Sequence, residues 1–267
     1  MKRFLLPLII LFGILIPIPT KAQESWADLF QAAQAARQPT VTLDADFVFA
    51  DLLGEFGNVV DRGWGGNFGI SIAPPSSRHA SWSRYARLHV DIGFIEYGSE
   101  TKRICLIRPC RILSDMVTTN SILTFGVGPE IVLMTGPIRP YITGTMGTTL
   151  FSTDTNLQGI HWEESHGHFV TNHFQDWTFS WKAGAGVKVS VTPSISIDFG
   201  ASYLNNGVAK WMAPGDIVDN WDINCAHADT GDSQCYRETN PAIAYRITEA
   251  NLWMVHTGIE WTIFGRR

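Results

Sequence analysis

Eight segments of this chain alternate between apolar and polar side chains with a period of two, and this alternation limits the fold more than any other feature. The segment 177–191 is the clearest, because every odd position from Trp177 to Val191 is apolar and Lys182 and Lys188 lie among the even positions. Successive side chains of a β-strand point to opposite faces of the sheet. Each segment therefore predicts a strand with one apolar face and one polar face.

The other seven segments have the same pattern over 41–49, 67–72, 86–94, 123–133, 139–150, 195–203 and 253–263. Most are about as long as the roughly 9–11 residues that a tilted membrane-spanning strand needs. A membrane β-barrel turns its apolar face to lipid and its polar face to the lumen, and its closure leaves no strand edge unpaired. We therefore expect an all-β fold over residues 40–264, an eight-stranded antiparallel transmembrane β-barrel. A soluble barrel with the apolar face inside is the alternative.

The connections between the segments differ in length. Those after the second, fourth and sixth segments are short or marked by proline, whereas the others run over about 53–63, 98–117, 153–175 and 206–243. Short periplasmic turns and long external loops are typical of outer-membrane barrels. With an even number of strands, this asymmetry predicts that both termini lie in the periplasm. Trp253 and Trp261, on the apolar face of the last segment, are expected near the two membrane interfaces.

The N-terminus has the features of a secretory signal peptide. Lys2 and Arg3 precede an apolar run over 4–18, and Ala22 ends a stretch suited to cleavage. We expect removal of residues 1–22, a periplasmic leader over 23–39 and a periplasmic tail over 265–267. The leader is predicted either as a short amphipathic helix or as a frayed segment. The expected location is the bacterial outer membrane, with membrane lipid and the barrel assembly machinery as partners.

Four cysteines form two local pairs, Cys105 with Cys110 and Cys225 with Cys235. Four cysteines allow three disulfide connectivities. The two local disulfides are favoured because each pair lies within one predicted external loop and because an exported protein meets oxidising conditions. A metal site is the alternative, but these pairs lack the spacing of metal ligands.

With these residues in place, the chain resembles the eight-stranded outer-membrane barrels of the OmpA transmembrane-domain and OmpX-like type over roughly residues 40–264. The most specific parts are the run from Gly126-Val127-Gly128-Pro129-Glu130 to Arg139-Pro140-Tyr141 and the final segment Glu260-Trp261-Thr262-Ile263-Phe264. The resemblance implies the same barrel, and the aromatic end is similar to the signal that the assembly machinery recognises.

The polar faces of the predicted strands carry both signs of charge. An eight-stranded barrel is only wide enough for side chains to fill it, and opposite charges confined there should pair, because an unpaired buried charge is costly. We therefore predict a plugged lumen with a charge network; a narrow pore for ions or small solutes is the alternative. The predicted network comprises six carboxylates and four bases: Asp44, Asp46, Asp91, Glu130, Asp198 and Glu260 with Arg87, Arg139, Lys182 and Lys188.

The third predicted loop is rich in histidine. Imidazole suits zinc or copper, so His161, His166, His168 and His173 are weak candidates for metal ligands. The region lacks a scaffold motif such as His-Glu-x-x-His, and a solvated polar loop is the favoured interpretation. We expect no metal, no cofactor and no catalytic residues, since no motif with the geometry of a catalytic triad is present.

The sequence thus favours a structural or surface-interaction role for an outer-membrane barrel, with an unknown surface ligand and disulfide-bonded external loops. A narrow pore is the second hypothesis, and a lipid-active outer-membrane enzyme is the third. The formal net charge of −5 and the lack of a basic cluster argue against a nucleic-acid partner.

Overall fold

Eight long strands close into one antiparallel barrel in the computed structural model. The structure describes residues 39–60, 62–73, 85–107, 112–134, 136–158, 170–214, 216, 223–225, 235–237 and 245–264. The barrel strands are β1 (Pro39–Leu52), β2 (Arg62–Ile72), β3 (Ala86–Ile107), β4 (Ile112–Val132), β5 (Ile138–Gln158), β6 (Val170–Ser190), β7 (Ile195–Asn205) and β12 (Leu252–Phe264). Each barrel strand pairs with the next barrel strand along the chain, so that β7 pairs with β12. The pairing of β1 with β12 closes the barrel.

Smaller elements follow the barrel strands at one end, which is called the loop end here. They are the helix α1 (Gly54–Val59) and the strands β8 (Val208–Trp211), β9 (Ile223–Cys225), β10 (Cys235–Arg237) and β11 (Arg246–Glu249). β8 pairs with β11 and β9 pairs with β10, so the longest connection contains two small sheets. The opposite end, called the turn end, carries the tight connections β4–β5 and β6–β7, and Gly136 has a positive φ of 141° in the first of them.

All eight predicted segments are strands of this barrel, and their apolar residues lie on its outer surface as predicted. Phe68 and Met146 are 68% and 65% exposed, while the alternate positions, such as Ser71 and Thr145, are buried inside. The predicted fold class is therefore confirmed, and the alternative of a soluble barrel with its apolar face inside is wrong. In the part of the chain that the structure describes, no helix is long and apolar enough to cross a membrane.

Aromatic side chains form a row on the outer surface. The ring centroids of Trp181 and Tyr203 are 5.6 Å apart, and those of Tyr203 and Trp253 are also 5.6 Å apart, so the row crosses β6, β7 and β12. Trp261 is exposed further along β12, toward the turn end. Aromatic girdles of this kind occupy the two interfaces of membrane barrels.

Four of the strands are much longer than predicted. β3, β4, β5 and β6 have 22, 21, 21 and 21 residues, so most of the predicted loops 98–117 and 153–175 is strand. β2 and β3 stop pairing at Trp64 and Glu96, and β7 and β6 stop at Asn205 and Trp181. Beyond that level the longer strands continue as a four-stranded projecting sheet, comprising 97–107, 112–120, 153–158 and 170–174.

Candidate functional site

The barrel interior has three layers. A cluster of charged side chains occupies the turn end, a polar layer lies in the middle, and an apolar cluster fills the loop end. This division follows from the sequence, because the inward positions of β1 change from Asp44 and Asp46 to Val48, Ala50 and Leu52 along the strand.

Lys188 is the centre of the charged layer. It is 1% exposed, and its Nζ lies 2.8 Å from Glu130 Oε2 and 2.8 Å from Glu260 Oε2. Arg139 donates from Nη2 to Glu260 Oε1 at 2.7 Å. Arg87 completes the cluster, with Nη1 at 3.6 Å from Glu130 and 3.7 Å from Glu260. Three cations thus surround two buried carboxylates at the turn end of the lumen.

Strand register brings these groups together. Arg87 on β3 is the direct partner of Glu130 on β4, and Arg139 on β5 is the direct partner of Lys188 on β6. Inward side chains at paired positions are neighbours on the same face of the sheet. Glu260 approaches from β12, on the other side of the barrel, and joins the two pairs into one cluster.

The middle layer contains a second set of polar contacts. Lys182 Nζ lies 2.5 Å from Asp91 Oδ2, and His89 Nε2 lies 3.9 Å from Asp91 Oδ1. Ser71 Oγ is 2.8 Å from His89 Nδ1, so the histidine contacts a hydroxyl on β2 and a carboxylate on its own strand. This set is distinct from the cluster around Lys188.

Tyr141 links a third group. Its hydroxyl lies 3.1 Å from each carboxylate oxygen of Asp198 and 3.0 Å from His256 Nε2. One ligand atom from each of Asp46, Asp198 and His256 lies within 4.8 Å of the others. A cavity of about 50 Å³ opens here, and its lining includes all four of these side chains.

An apolar cluster closes the loop end, and Phe56 on α1 lies at its centre. The Phe56 ring is 4.5 Å from that of Trp211, 5.1 Å from Tyr97 and 6.2 Å from Phe151, measured between centroids. All four side chains are buried. A short helix and the strand β8 therefore supply the two large side chains, Phe56 and Trp211, that fill the barrel mouth.

Buried amides hold this closure in place. Asn206 Nδ2 donates to the carbonyl oxygen of Ala250 at 2.6 Å, and Thr149 Oγ1 donates to Asn206 Oδ1 at 2.8 Å. Tyr97 donates its hydroxyl to the carbonyl oxygen of Met212 at 3.1 Å. Arg246 on β11 donates two hydrogen bonds of 2.9 Å to Asp216, and these bonds raise the pKa of Arg246. The segments around β8 and β11 are thus bonded to the barrel wall and to each other.

All ten predicted lumen charges lie on the interior face, but they divide into separate groups. The cluster around Lys188 and the Lys182–Asp91 pair account for seven of them. The other three, Asp44, Asp46 and Asp198, have no ion pair with any residue that the structure describes.

The predicted cysteine and histidine sites are described only in part. Cys105 lies in β3, opposite Leu113, so the expectation that it lies in a loop is wrong. Cys225 and Cys235 lie directly opposite each other in β9 and β10, so these two cysteines are also in strands. Paired positions of this kind have Cα separations of roughly 4.5–5.5 Å, which suits a disulfide; the bond itself stays a prediction.

Cys110 lies outside the described residues, as do three of the predicted loop histidines, His161, His166 and His168. His173 belongs to β6. The expectation of a solvated polar loop, in which these histidines are only weak candidates for metal ligands, therefore stays a prediction.

The role of Tyr141 and the apolar closure could not be predicted from the sequence. Alternation along the chain puts Tyr141 on the inward face, but its bonds to Asp198 and His256 join residues 57 and 115 positions away. The short run Gly54–Val59 with its buried Phe56 gives no periodic signal long enough to predict a helix.

No protein-family model and no curated protein matches this chain. Among solved structures, Neisserial surface protein A is 12% identical, with 84% of this chain and 97% of that chain covered at a TM-score of 0.44. Ail of Yersinia pestis is 11% identical over 84% and 99% of the two chains, with a TM-score of 0.40. A major outer membrane protein of Thermus thermophilus is 10% identical over 84% and 99%, with a TM-score of 0.41.

The architecture is established by the chain's own geometry. Eight strands close with continuous register, apolar side chains cover the outside and ionised side chains pair inside. Only a lipid environment makes that inversion of polarity favourable, because water would solvate the exterior poorly. The chain is therefore an eight-stranded antiparallel transmembrane β-barrel.

Proposed function

We propose that this chain is a bacterial outer-membrane protein whose barrel is a closed anchor and whose external strands and loops interact with a surface ligand. The observation that carries the proposal is that side chains fill the interior from the cluster around Lys188 to the cluster around Phe56. Membrane lipid would surround the barrel, and the barrel assembly machinery would insert it.

Closure at both ends argues against conduction. The cavity between the two clusters has a volume of about 50 Å³, enough for only a few waters at roughly 10–15 Å³ each. For a solute to pass, the ion pairs of Lys188 and the packed rings around Phe56 would both have to separate. The narrow pore is therefore the weaker of the two hypotheses.

The projecting sheet supports a role in surface interaction. β3 has 22 residues, about twice the roughly 9–11 that cross a bilayer. Its pairing with β4 continues to Ile107 and Ile112, and β4 pairs with β5 as far as Asp115 and Gln158. Hydrogen-bonded strands hold this surface in a fixed shape beyond the membrane, and such a preordered surface binds a partner at a lower entropic cost.

An enzymatic role has less support. Ser71, His89 and Asp91 resemble a catalytic triad in composition, but His89 and Asp91 are 3.9 Å apart, which is longer than a hydrogen bond. Ser71 is also buried inside the barrel, where a lipid substrate does not reach it. The polar contacts of these residues are explained by the need to satisfy buried groups.

Single-channel recording in a planar bilayer tests the closed anchor. The refolded protein should show retarded mobility in an unboiled gel, which verifies a folded barrel, and then produce no discrete conductance steps. Stable steps from such a folded sample would contradict the proposal and favour the narrow pore.

Epitope insertion tests which end is external. An epitope placed between β3 and β4 should be labelled by antibody on intact cells. The matched control places the same epitope next to Thr192, in the tight turn between β6 and β7, where labelling should require permeabilisation. Labelling of the second site alone on intact cells would reverse the proposed orientation.

A further inference from the structure

We infer that Asp46, Asp198 and His256 form a binding site for a divalent transition-metal ion in the middle of the barrel lumen. One ligand atom from each of the three lies within 4.8 Å of the others. Ligands that share an ion at bond lengths of ~2.1 Å lie at most ~4.2 Å apart. Small side-chain movements therefore bring the three ligands to bonding distance.

The strand register builds this arrangement. Asp46 on β1 and Asp198 on β7 are both direct partners of Gly258 on the intervening strand β12. A Cβ at position 258 would lie 2.1 Å from Asp46 Oδ1. The glycine thus leaves the space in which the two carboxylates approach each other, and His256 enters the same space from two residues along β12.

Tyr141 orients two of the three ligands. A hydroxyl has one proton, so a Tyr141 that donates to Asp198 accepts from Nε2 of His256. This arrangement leaves the other ring nitrogen of His256 unprotonated, as metal coordination requires. Ligand histidines commonly donate their second ring nitrogen to such an outer partner.

Asp44, a fourth residue at this cavity, supports the binding of a cation there. Asp44 is 6% exposed and lines the same cavity. Its Oδ1 has no hydrogen-bond partner, and the same is true of Oδ1 of Asp46. Neither aspartate forms an ion pair with any residue within the described ranges. Buried carboxylates without a positive partner are strongly disfavoured.

The two lysines that line the cavity do not neutralise the negative charge of its carboxylates. Four carboxylates and two lysines line the cavity, which leaves a surplus of two negative charges when the histidines are neutral. Lys182 is bonded to Asp91, and Lys188 is bonded to Glu130 and Glu260. A divalent cation matches the surplus, and two carboxylates with one imidazole suit first-row metals such as Mn²⁺, Fe²⁺, Co²⁺ and Zn²⁺.

The test uses Zn²⁺ alone as the probe. The full-length protein is refolded with Zn²⁺, passed through a size-exclusion column in metal-free buffer, and analysed for metal by mass spectrometry. The wild type should retain about one Zn²⁺ per folded chain. Asp46→Asn and His256→Gln should each lose most of it, whereas Asp51→Asn, the same change on the outer face of β1, should retain it.

A variant that keeps all three proposed ligands makes the test decisive when the lumen variants fail to fold. His161, His166, His168 and His173 are replaced together by alanine, which leaves the interior ligands unchanged. This variant should bind Zn²⁺ as the wild type does. Loss of the metal from it would assign binding to those four histidines and overturn the inference, and so would a folded wild type that retains no Zn²⁺.

Discussion

Lys188 is the residue on which the charged layer depends. Its ammonium group lies 4.6 Å from the centroid of the Tyr141 ring, in addition to its bonds with Glu130 and Glu260. Removing one member of a buried ion cluster leaves its partners without compensation, and the resulting loss is larger than the net contribution of the intact pair.

Lys188→Met should therefore destabilise the barrel by about 3–5 kcal/mol. The measurement is urea unfolding in lipid vesicles, followed by the fraction that migrates as folded protein in an unboiled gel. Lys210→Met is the matched control, because Lys210 is exposed on β8 outside the barrel. Equal stability of the two variants would show that the cluster contributes little to folding.

The sequence predicts that these charged residues point into the barrel, but it does not predict which side chains they contact there. Alternation alone puts Glu260 and Arg139 inside, since each side chain follows the period of its own strand. Their 2.7 Å contact joins residues 121 positions apart and depends on barrel closure and register. The approach of Asp46 to Asp198 depends in the same way on where Gly258 falls in the pairing.

The helix α1 has six residues and one buried side chain, Phe56. A helix this short is not stable alone, so its contacts with Tyr97, Phe151 and Trp211 hold it in the barrel mouth. The helix, which connects β1 to β2, therefore helps to close the loop end of the barrel.

Phe56→Ala should leave a cavity and cost about 3–5 kcal/mol. Val59→Ala on the same helix is the control, because Val59 is 43% exposed. Thermal unfolding in detergent compares the two variants with the wild type. A clear decrease in Tm is expected for Phe56→Ala alone. Equal decreases in the Tm of Phe56→Ala and Val59→Ala would indicate that stability depends on the helix as a whole and not on the buried ring of Phe56.

The projecting sheet shows why strand ends were the least predictable elements. Thr118 and Thr155 meet across β4 and β5 at 3.0 Å, and Thr153 donates to Asn120 at 2.7 Å. These side chains are buried and polar, as the inward side chains of the spanning segments are. Beyond the membrane the outer face of a strand meets water, so neither face must be apolar and the alternation that marked the spanning segments disappears.

The apolar exterior is a property of the whole molecule. Val187 lies on the outer face of β6 within the band that lipid covers, and Val208 lies on β8 at the loop end. Both valines are exposed on the protein surface, so they differ in their contact with lipid and not in their burial within the protein.

Val187→Arg should impair membrane assembly, because an arginine facing lipid costs up to ~2–4 kcal/mol near the midplane. Val208→Arg, the same substitution outside the band, should assemble normally. Refolding into vesicles, scored by gel mobility and flotation, compares the two. Normal assembly of Val187→Arg would contradict the proposed lipid-facing surface.

The unequal strand lengths give the molecule a high side and a low side. On the high side, β3 to β6 rise well past the aromatic row, whereas on the low side β7, β12, β1 and β2 end near it. If the loop end is external, as proposed, the projecting sheet extends further from the membrane than the ends of β7, β12, β1 and β2 do. Rotation of the barrel about the membrane normal therefore determines whether a neighbouring molecule faces the projecting sheet or the shorter strands.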